Sequence, residues 1–325
     1  MNIKKLIFIP LLGILICATA FVAAARTGLL TPSDEVLRQK YGLSESRFVD
    51  IDGQVVHYTD QGHGDAIVLI HGSFGSLRMW SDWVQVLSRH YRVIRFDRPP
   101  MGLAGAHPKG DYSVEQEMLV MQKLLALLHV DRFVLVATSS GGESGAAYTA
   151  LHADQVRAAI FSNIAAEPFK PDQSHRPATL RFLIWVQPLL KGWKPALFWR
   201  EVLEMNFYDQ RKVTDAMAKE WADLNNRAQR TPRQAPSQHA AVPFTRTPSD
   251  LARITVPTLL LWSDHDVELP AATVAARVLA LLGSSDKAIQ IVPDCGHMMP
   301  LECGPQSVAI AEAFLQRVAP PGPGR

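Results

Sequence analysis

The chain has 325 residues, of which 47% are apolar and 20% charged, a balance that excludes extended disorder and collagen-like repeats. Its 33 basic and 31 acidic residues leave a net charge of +2, which excludes a protein whose main work is gripping nucleic acid. Three cysteines, Cys17, Cys295 and Cys303, cannot build a disulfide scaffold or a four-thiolate zinc site.

The amino terminus reads as a targeting segment. Lys4 and Lys5 precede an apolar run over residues 6–17, and Ala18-Thr19-Ala20 and Ala23-Ala24-Ala25 follow as small-x-small cleavage sites. That order is a secretory signal peptide over residues 1–25. The rival reading is an uncleaved membrane anchor, since ~20 apolar residues can span a bilayer. Either way the lysines stay inside and the remainder lies outside the cytoplasm, periplasmic or secreted if cleaved. Residues 26–46 are expected to be a linker.

Beyond it, strands alternate with helices. Residues 48–51 and 55–58 form a hairpin across Asp52-Gly53. A wholly apolar run at 66–70 and further, mostly apolar runs at 91–96, 133–136, 158–162, 258–262 and 288–292 suit strands buried on both faces. Helical patterns lie between them at 80–88, 114–128, 144–152, 271–282 and 306–318. Alternation of this kind predicts an α/β fold, a mostly parallel sheet flanked by helices. The core is expected in two parts, 47–165 and 251–318, with a loose tail over 319–325.

Residues 166–250 interrupt the rhythm and read as a helical cap insertion, with helical runs at 179–190 and 196–205 and an exit loop over 230–243. Four of seven tryptophans fall there: Trp185, Trp193, Trp199 and Trp221. With Phe182 and Phe198, most are expected to pack the cap onto the sheet and some to line an apolar acyl pocket. Between Lys170 and Arg246 stand 13 basic and 7 acidic residues, a local +6. That excess reads as a solvated face or as an attraction for anionic substrates or an anionic membrane surface.

Chemistry is signalled by Ala137-Thr138-Ser139-Ser140-Gly141-Gly142, where an apolar strand runs through a serine into a helix. So sharp a turn holds the serine hydroxyl up at the sheet edge and needs small residues two before and two after it. Ala137 and Gly141 satisfy this for Ser139; Ser140, with Thr138 before it, is the second candidate. A serine nucleophile needs a base and an orienting acid. His297, in Asp294-Cys295-Gly296-His297, follows one late strand, and Asp266, with Asp264 as alternative, follows the strand before it. The group Asp264-His265-Asp266 has no further ligand spacing of a metal site, and the expected chemistry needs no cofactor or metal. Backbone N–H groups at Ser73 or Phe74, in His71-Gly72-Ser73-Phe74-Gly75, and at Ser140 can form an oxyanion hole, with His71 holding the loop. Cys295 and Cys303 flank His297 and are either a disulfide or two small buried residues.

On these residues, together with Asp97-Arg98-Pro99-Pro100-Met101-Gly102, the chain resembles the α/β-hydrolase superfamily over residues 47–318, departing from its usual pattern at Ala137, Pro100 and Ala104. The resemblance implies the α/β-hydrolase fold, with the insertion as a cap over the active site. Dehalogenases and epoxide hydrolases of the superfamily carry aspartate at the elbow, and here the residue is Ser139. Hydrolysis of a small-molecule carboxylic ester by Ser139, His297 and Asp266 is therefore expected first. Other activities share the triad: carbon–carbon bond hydrolysis, lactone opening, aminopeptidase action and perhydrolysis. A catalytically idle binding module is the reading from another class. The base is expected to titrate near its reference value of ~6.5.

Overall fold

The computed structural model describes residues 3–169, 176–229 and 243–320, with side chains from residue 12 onward. Eight strands follow in chain order: β1 (Arg47–Ile51), β2 (Gln54–Gln61), β3 (Ala66–Ile70), β4 (Arg92–Phe96), β5 (Phe133–Thr138), β6 (Val156–Ser162), β7 (Thr258–Ser263) and β8 (Lys287–Val292). They form one sheet in the order β1-β2-β4-β3-β5-β6-β7-β8. β1, β2 and β4 pair antiparallel and every later pair is parallel. Asp52 and Gly53, both at positive φ (54° and 80°), close the β1–β2 hairpin. That is the backbone twist a two-residue hairpin turn requires.

β3, β5 and β7 are buried at every position because alternate side chains serve two separate cores. Val68, Ile70, Leu135 and Ala137 face one side, beneath α4 (Val114–Leu127), α5 (Gly141–Leu151), α9 (Thr247–Arg253) and α10 (Ala276–Leu281). Ile67, Leu69, Val134 and Val136 face the other, beneath α3 (Ser81–Leu87) and α12 (Gly304–Val318). Each such side chain contributes roughly 1.5–3 kcal/mol when fully buried, which drives the two-sided cover. A short helix, α11 (Met299–Glu302), leads into α12.

The insertion is helical as expected, with α6 (Ala178–Val186), α7 (Ala196–Asn206) and α8 (Asp215–Gln229). Its aromatics meet the expectation in part. Phe198, Trp199 and Trp221 cluster with Leu180, Leu203 and Phe207 and pack against Met298 and Leu301 below, with Trp199 against Phe74, whereas Phe182 and Trp185 are exposed. Much of the cap's positive charge is spent on ion pairs: Arg200 with Glu204 and Asp215, Arg211 with Asp209, Lys219 with Asp223, and Arg227 with Asp34.

Two amino-terminal helices lean on this cap. α1 (Ile3–Thr27) ends with the Phe21 ring against Trp193 and the Arg26 guanidinium donating to the Leu189 carbonyl at 3.2 Å. Among the described residues no helix is long and apolar enough to cross a membrane. The signal or anchor reading rests in part on residues 1–11, whose side chains lie outside those described. The stretch expected as a linker carries α2 (Asp34–Tyr41), capped by Ser33 and buried at Leu37 and Tyr41. The Tyr41 hydroxyl donates to Asp223 of α8 at 2.7 Å.

The loops at the carboxyl edge of the sheet are tied through Asp97, which follows β4 and is fully buried. Its carboxylate accepts from His57 Nδ1 (2.6 Å), the Leu77 N–H (2.6 Å) and the Leu103 N–H (2.7 Å). Burial pushes the carboxyl up, but His57 and its hydrogen bond, His71 and the Leu77 N–H outweigh it and hold Asp97 below the usual carboxylate range. A lowered value means that this stabilisation is present above the ordinary carboxylate pKa and lost as pH falls through the folded one. Asp97→Ala leaves three buried donors unpaired and is expected to cost on the order of 3–5 kcal/mol in urea denaturation. A loss below ~1 kcal/mol would contradict this account of the loops.

Candidate active site

Ser139 sits between β5 and α5 with φ at 51°, a left-handed conformation that costs a non-glycine residue and persists where surroundings enforce it. The tightness of the turn is measurable. A Cβ on Gly141 would lie 2.6 Å from the His71 carbonyl oxygen. The departure at Ala137 has a local compensation: a Cβ on Gly145, one turn into α5, would come within 2.9 Å of the Ala137 methyl. Glycine at 145 leaves the space that alanine at 137 fills.

β7 and β8 are parallel neighbours, so the loops that leave them emerge side by side. Asp266 on the first and His297 on the second meet there, with Asp266 Oδ2 2.7 Å from His297 Nδ1. His297 Nε2 lies 2.9 Å from Ser139 Oγ, completing a hydrogen-bonded chain of the three expected residues. Asp266 Oδ1 accepts from the Glu268 and Leu269 N–H groups at 2.9 and 2.8 Å, which fixes the carboxylate plane. Asp264, the alternative acid, is turned elsewhere: it accepts from the Asp294 and Cys295 N–H groups and pairs with His265. Asp264, His265 and Asp266 therefore do not converge on a common point.

The alternative serine is also accounted for. Ser140 Oγ accepts from the Ser73 hydroxyl at 2.8 Å and from the Arg98 guanidinium at 3.0 Å, away from His297. The same Arg98 nitrogen, Nη1, also donates to the His71 carbonyl, while Nε and Nη2 grip Glu117. His71 Nδ1 donates to the Gly72 carbonyl and its Nε2 accepts the Arg98 N–H, so the ring is a loop brace. Burial, despite Asp97, lowers it to about 4, and it stays neutral. Phe74, at φ 61°, has its carbonyl held by Asn225 of the cap at 3.0 Å. Ser73, Phe74 and Ser140 are thus brought to the rim of the elbow. The helix amino terminus behind Ser140 adds a favourable field for developing negative charge.

The His297 loop is braced from three sides. Asn163, after β6, donates to the His297 carbonyl at 3.1 Å and to Ser263 Oγ at 2.9 Å. The buried Glu302 carboxylate accepts from Gly296 N–H (2.8 Å) and from the cap residues Tyr208 (3.1 Å) and Asp209 (2.7 Å). Cys295 and Cys303 form a disulfide, with Cα atoms 6.1 Å apart. Among the described residues, the cluster with metal-ligand spacing is Cys295, Glu302 and Cys303, whose two sulfurs are committed to that bond.

Five residues at the site escaped sequence reasoning: the Arg98 side chain, Asn163, Asn225, Glu268 and Glu302. Asn163 left one signal, a polar residue ending an apolar strand. Glu268 left its position two beyond Asp266. The others depend on contacts between distant segments, which no local pattern records.

Electrostatics depart from the expectation for the base. Burial disfavours the charged imidazole of His297, but the Asp266 charge, its hydrogen bond and the nearby Glu268 outweigh it and push His297 up to about 9. Glu268 Oε2 is 3.7 Å from His297 Nε2, on the face that meets Ser139. An arrangement of this kind can raise a nucleophile at Ser139, store its proton on His297 and return it to a leaving group.

The fold agrees with the comparisons. Residues 67–312 match the alpha/beta hydrolase family, and the chain belongs to it. It is 25% identical to the 2-hydroxy-6-oxo-6-(2'-aminophenyl)hexa-2,4-dienoic acid hydrolase of Metapseudomonas resinovorans, over 90% of this chain and 98% of that one. It is 26% identical to haloalkane dehalogenase 2 of Mycobacterium tuberculosis, over 82% and 93%. Among solved structures, a bacterial membrane phospholipase A shares the fold at TM-score 0.67 and 23% identity, covering 97% of this chain and 99% of that one. The protein is a hydrolase by family.

His297 is expected to titrate well above the ordinary histidine value of 6.5, towards about 9. Its pairing then stabilises the fold fully below pH 6.5, and that contribution is lost as pH rises through the folded value near 9. Imidazole NMR shifts followed between pH 5 and 10 would check this; a midpoint at or below ~6.5 would contradict it.

Proposed function

We propose that the protein is an exported serine hydrolase that cleaves a carboxylic ester through an acyl-enzyme intermediate. The observation that carries this reading is the continuous chain from Asp266 through His297 to Ser139 Oγ, at 2.7 and 2.9 Å. Ser139 Oγ attacks the ester carbonyl while His297 Nε2 takes its proton. The oxyanion is held by backbone N–H groups of Ser140 and of Ser73 or Phe74. Collapse breaks the carbon–oxygen bond to the alcohol, which leaves with the proton from His297. Water then adds to the seryl ester and gives a proton to the same nitrogen; the bond from the acyl carbon to Ser139 Oγ breaks, His297 returns that proton to Oγ, and the carboxylic acid departs. Asp266 holds the imidazole tautomer throughout. No cofactor enters these steps.

Export is supported by Lys4 and Lys5 ahead of the apolar run, with small residues after it. A Cys295–Cys303 bridge suits an oxidising compartment. Carbon–carbon bond hydrolysis is the second reading, favoured by relatives 25% and 26% identical that act, by their names, on dienoates. The dehalogenase likeness is not carried to this chain, because Ser139 stands at the elbow.

The ester reading is tested with p-nitrophenyl esters of graded acyl length, a phospholipid and a 2-hydroxy-6-oxo-dienoate. A burst of p-nitrophenol equal to the enzyme concentration is expected, with kcat/KM rising as His297 deprotonates and half-maximal at a pH of about 9. Ser139→Ala should lower turnover by ~10⁴-fold or more and abolish fluorophosphonate labelling, while Ser140→Ala, which keeps its backbone N–H, retains measurable turnover. Turnover of the dienoate without any ester would transfer the assignment to the second reading.

A further inference from the structure

We infer that Glu268 is a specificity-determining residue of this site, a carboxylate beside the leaving-group position that favours esters with a cationic alcohol half over neutral ones and disfavours those bearing a carboxylate. This deepens the ester-hydrolase reading and rests on it. His297 Nε2 is the atom that returns a proton to the departing alcohol, and Glu268 Oε2 lies 3.7 Å from it. Whatever leaves through that proton transfer passes next to the carboxylate.

The backbone aims Glu268 there. Its own N–H and that of Leu269 bind Asp266 Oδ1, a tight turn that sends Val267 outward, 58% exposed, and buries Leu269. Glu268 falls between them, its side chain 35% exposed, so it has given up much of its hydration. Among the described residues the only cationic group within ion-pair distance of it is His297, and then only while His297 is protonated. The described groups that face His297 are Asp266, Glu268 and Ser139: two carboxylates and a hydroxyl.

Two cap lysines lie near the site, Lys194 over the Phe198 and Trp199 rings and Lys212 on the Glu302 carbonyl, and neither is within ion-pair distance of Glu268. Arg98, the guanidinium at the elbow, is occupied by Glu117, the His71 carbonyl and Ser140 Oγ. The cap cations Arg200, Arg211, Lys219 and Arg227 are paired with carboxylates of their own. The charges in direct contact with His297 are thus negative, and a carboxylate that is 35% exposed is screened less than one on an open surface. This runs against one of the two readings of the local +6, an attraction for anionic substrates, and fits the other, a solvated face.

The test uses three butyrate esters of similar size: butyrylcholine, its neutral 3,3-dimethylbutyl analogue and the butyrate ester of glycolic acid, assayed by pH-stat on the full-length protein. In the wild type, kcat/KM should fall in the order cationic, neutral, anionic, with the cationic-to-anionic ratio shrinking as salt is raised. In Glu268→Gln that ratio should drop by on the order of tenfold, and the pH midpoint for the neutral ester should move down. A merely structural role would move neither the ratio nor the midpoint in these directions. Glu268→Lys should invert the preference, which keeps the test open should the glutamine variant fold poorly. Equal kcat/KM for all three esters in the wild type, or a ratio unchanged in both variants, would overturn the role of Glu268 and leave the ester reading intact. Hydrolysis of none of the three would overturn the ester reading and the inference with it.

Discussion

The Asp266–His297 contact is almost wholly withdrawn from water, and the rest of the site is arranged around the cost of keeping it there. Two ionisable groups at 0% and 3% side-chain exposure are tolerable only if each finds its partners within the protein. Asp266 finds three donors, two from its own turn and one from the imidazole. His297 finds Asp266 on one nitrogen and Ser139 on the other. Removing either partner would strand a charge or a lone pair in the interior. The sheet supplies the registration: β7 and β8 run parallel and adjacent, while β5 lies two strands away across β6, within reach of the loop that carries His297.

Loops alone would not hold such a pair to within tenths of an ångström. Asn163 comes from the end of β6, Glu302 from α11, and the disulfide ties Cys295, before the histidine, to Cys303, just after α11. Glu302 also reaches the Tyr208 and Asp209 backbone, so the end of the cap and the histidine loop share one carboxylate. On the opposite rim, Asn225 holds the Phe74 carbonyl, and Arg227 holds the Ala104 carbonyl and Asp34. The cap thus carries an apolar cluster while its polar edge braces the elbow and its neighbours. α2 extends the same logic: Tyr41 and Lys40 both meet Asp223, so the segment before the first strand clasps the cap from outside.

The sheet was legible in the sequence because two-sided burial writes itself as mostly apolar runs. Each run at 66–70, 133–136 and 258–262 falls within an observed strand. The elbow was legible for a related reason, since steric crowding dictates small residues at fixed offsets. Ala137 looked like a departure because its compensation, Gly145, lies on another element's face and only the fold reveals the contact. α2 and α8 were missed because part of what holds them is the contact between them, which no local pattern records. Their polar residues, Asp34 with Arg227 and Tyr41 with Asp223, look like ordinary solvated positions until the two helices meet. The tryptophans were placed correctly in the cap, but whether each would be buried could not follow from helical spacing alone. Trp199 and Trp185 stand on comparable helices with opposite fates.

The charge around His297 sets two demands against each other. A second carboxylate near Nε2 stabilises the imidazolium that forms as Ser139 attacks, which lowers the barrier. The same carboxylate stabilises the imidazolium before substrate arrives, and a protonated base cannot accept the serine proton. Only the part of the stabilisation that grows along the reaction coordinate speeds the chemistry. Asp266 contributes to both states through a hydrogen bond already made at 2.7 Å. Glu268, at 3.7 Å and partly in solvent, makes no such bond in the resting geometry. Its effect on the resting imidazole is through space alone, and it changes with what lies beside the carboxylate. An alcohol half that displaces water from the carboxylate strengthens its field at the moment of proton transfer, and a cationic one neutralises the carboxylate and frees His297 to act as base. Coupling of this kind lets one side chain govern both the pH range and the choice of substrate, which a residue buried behind the histidine could not do.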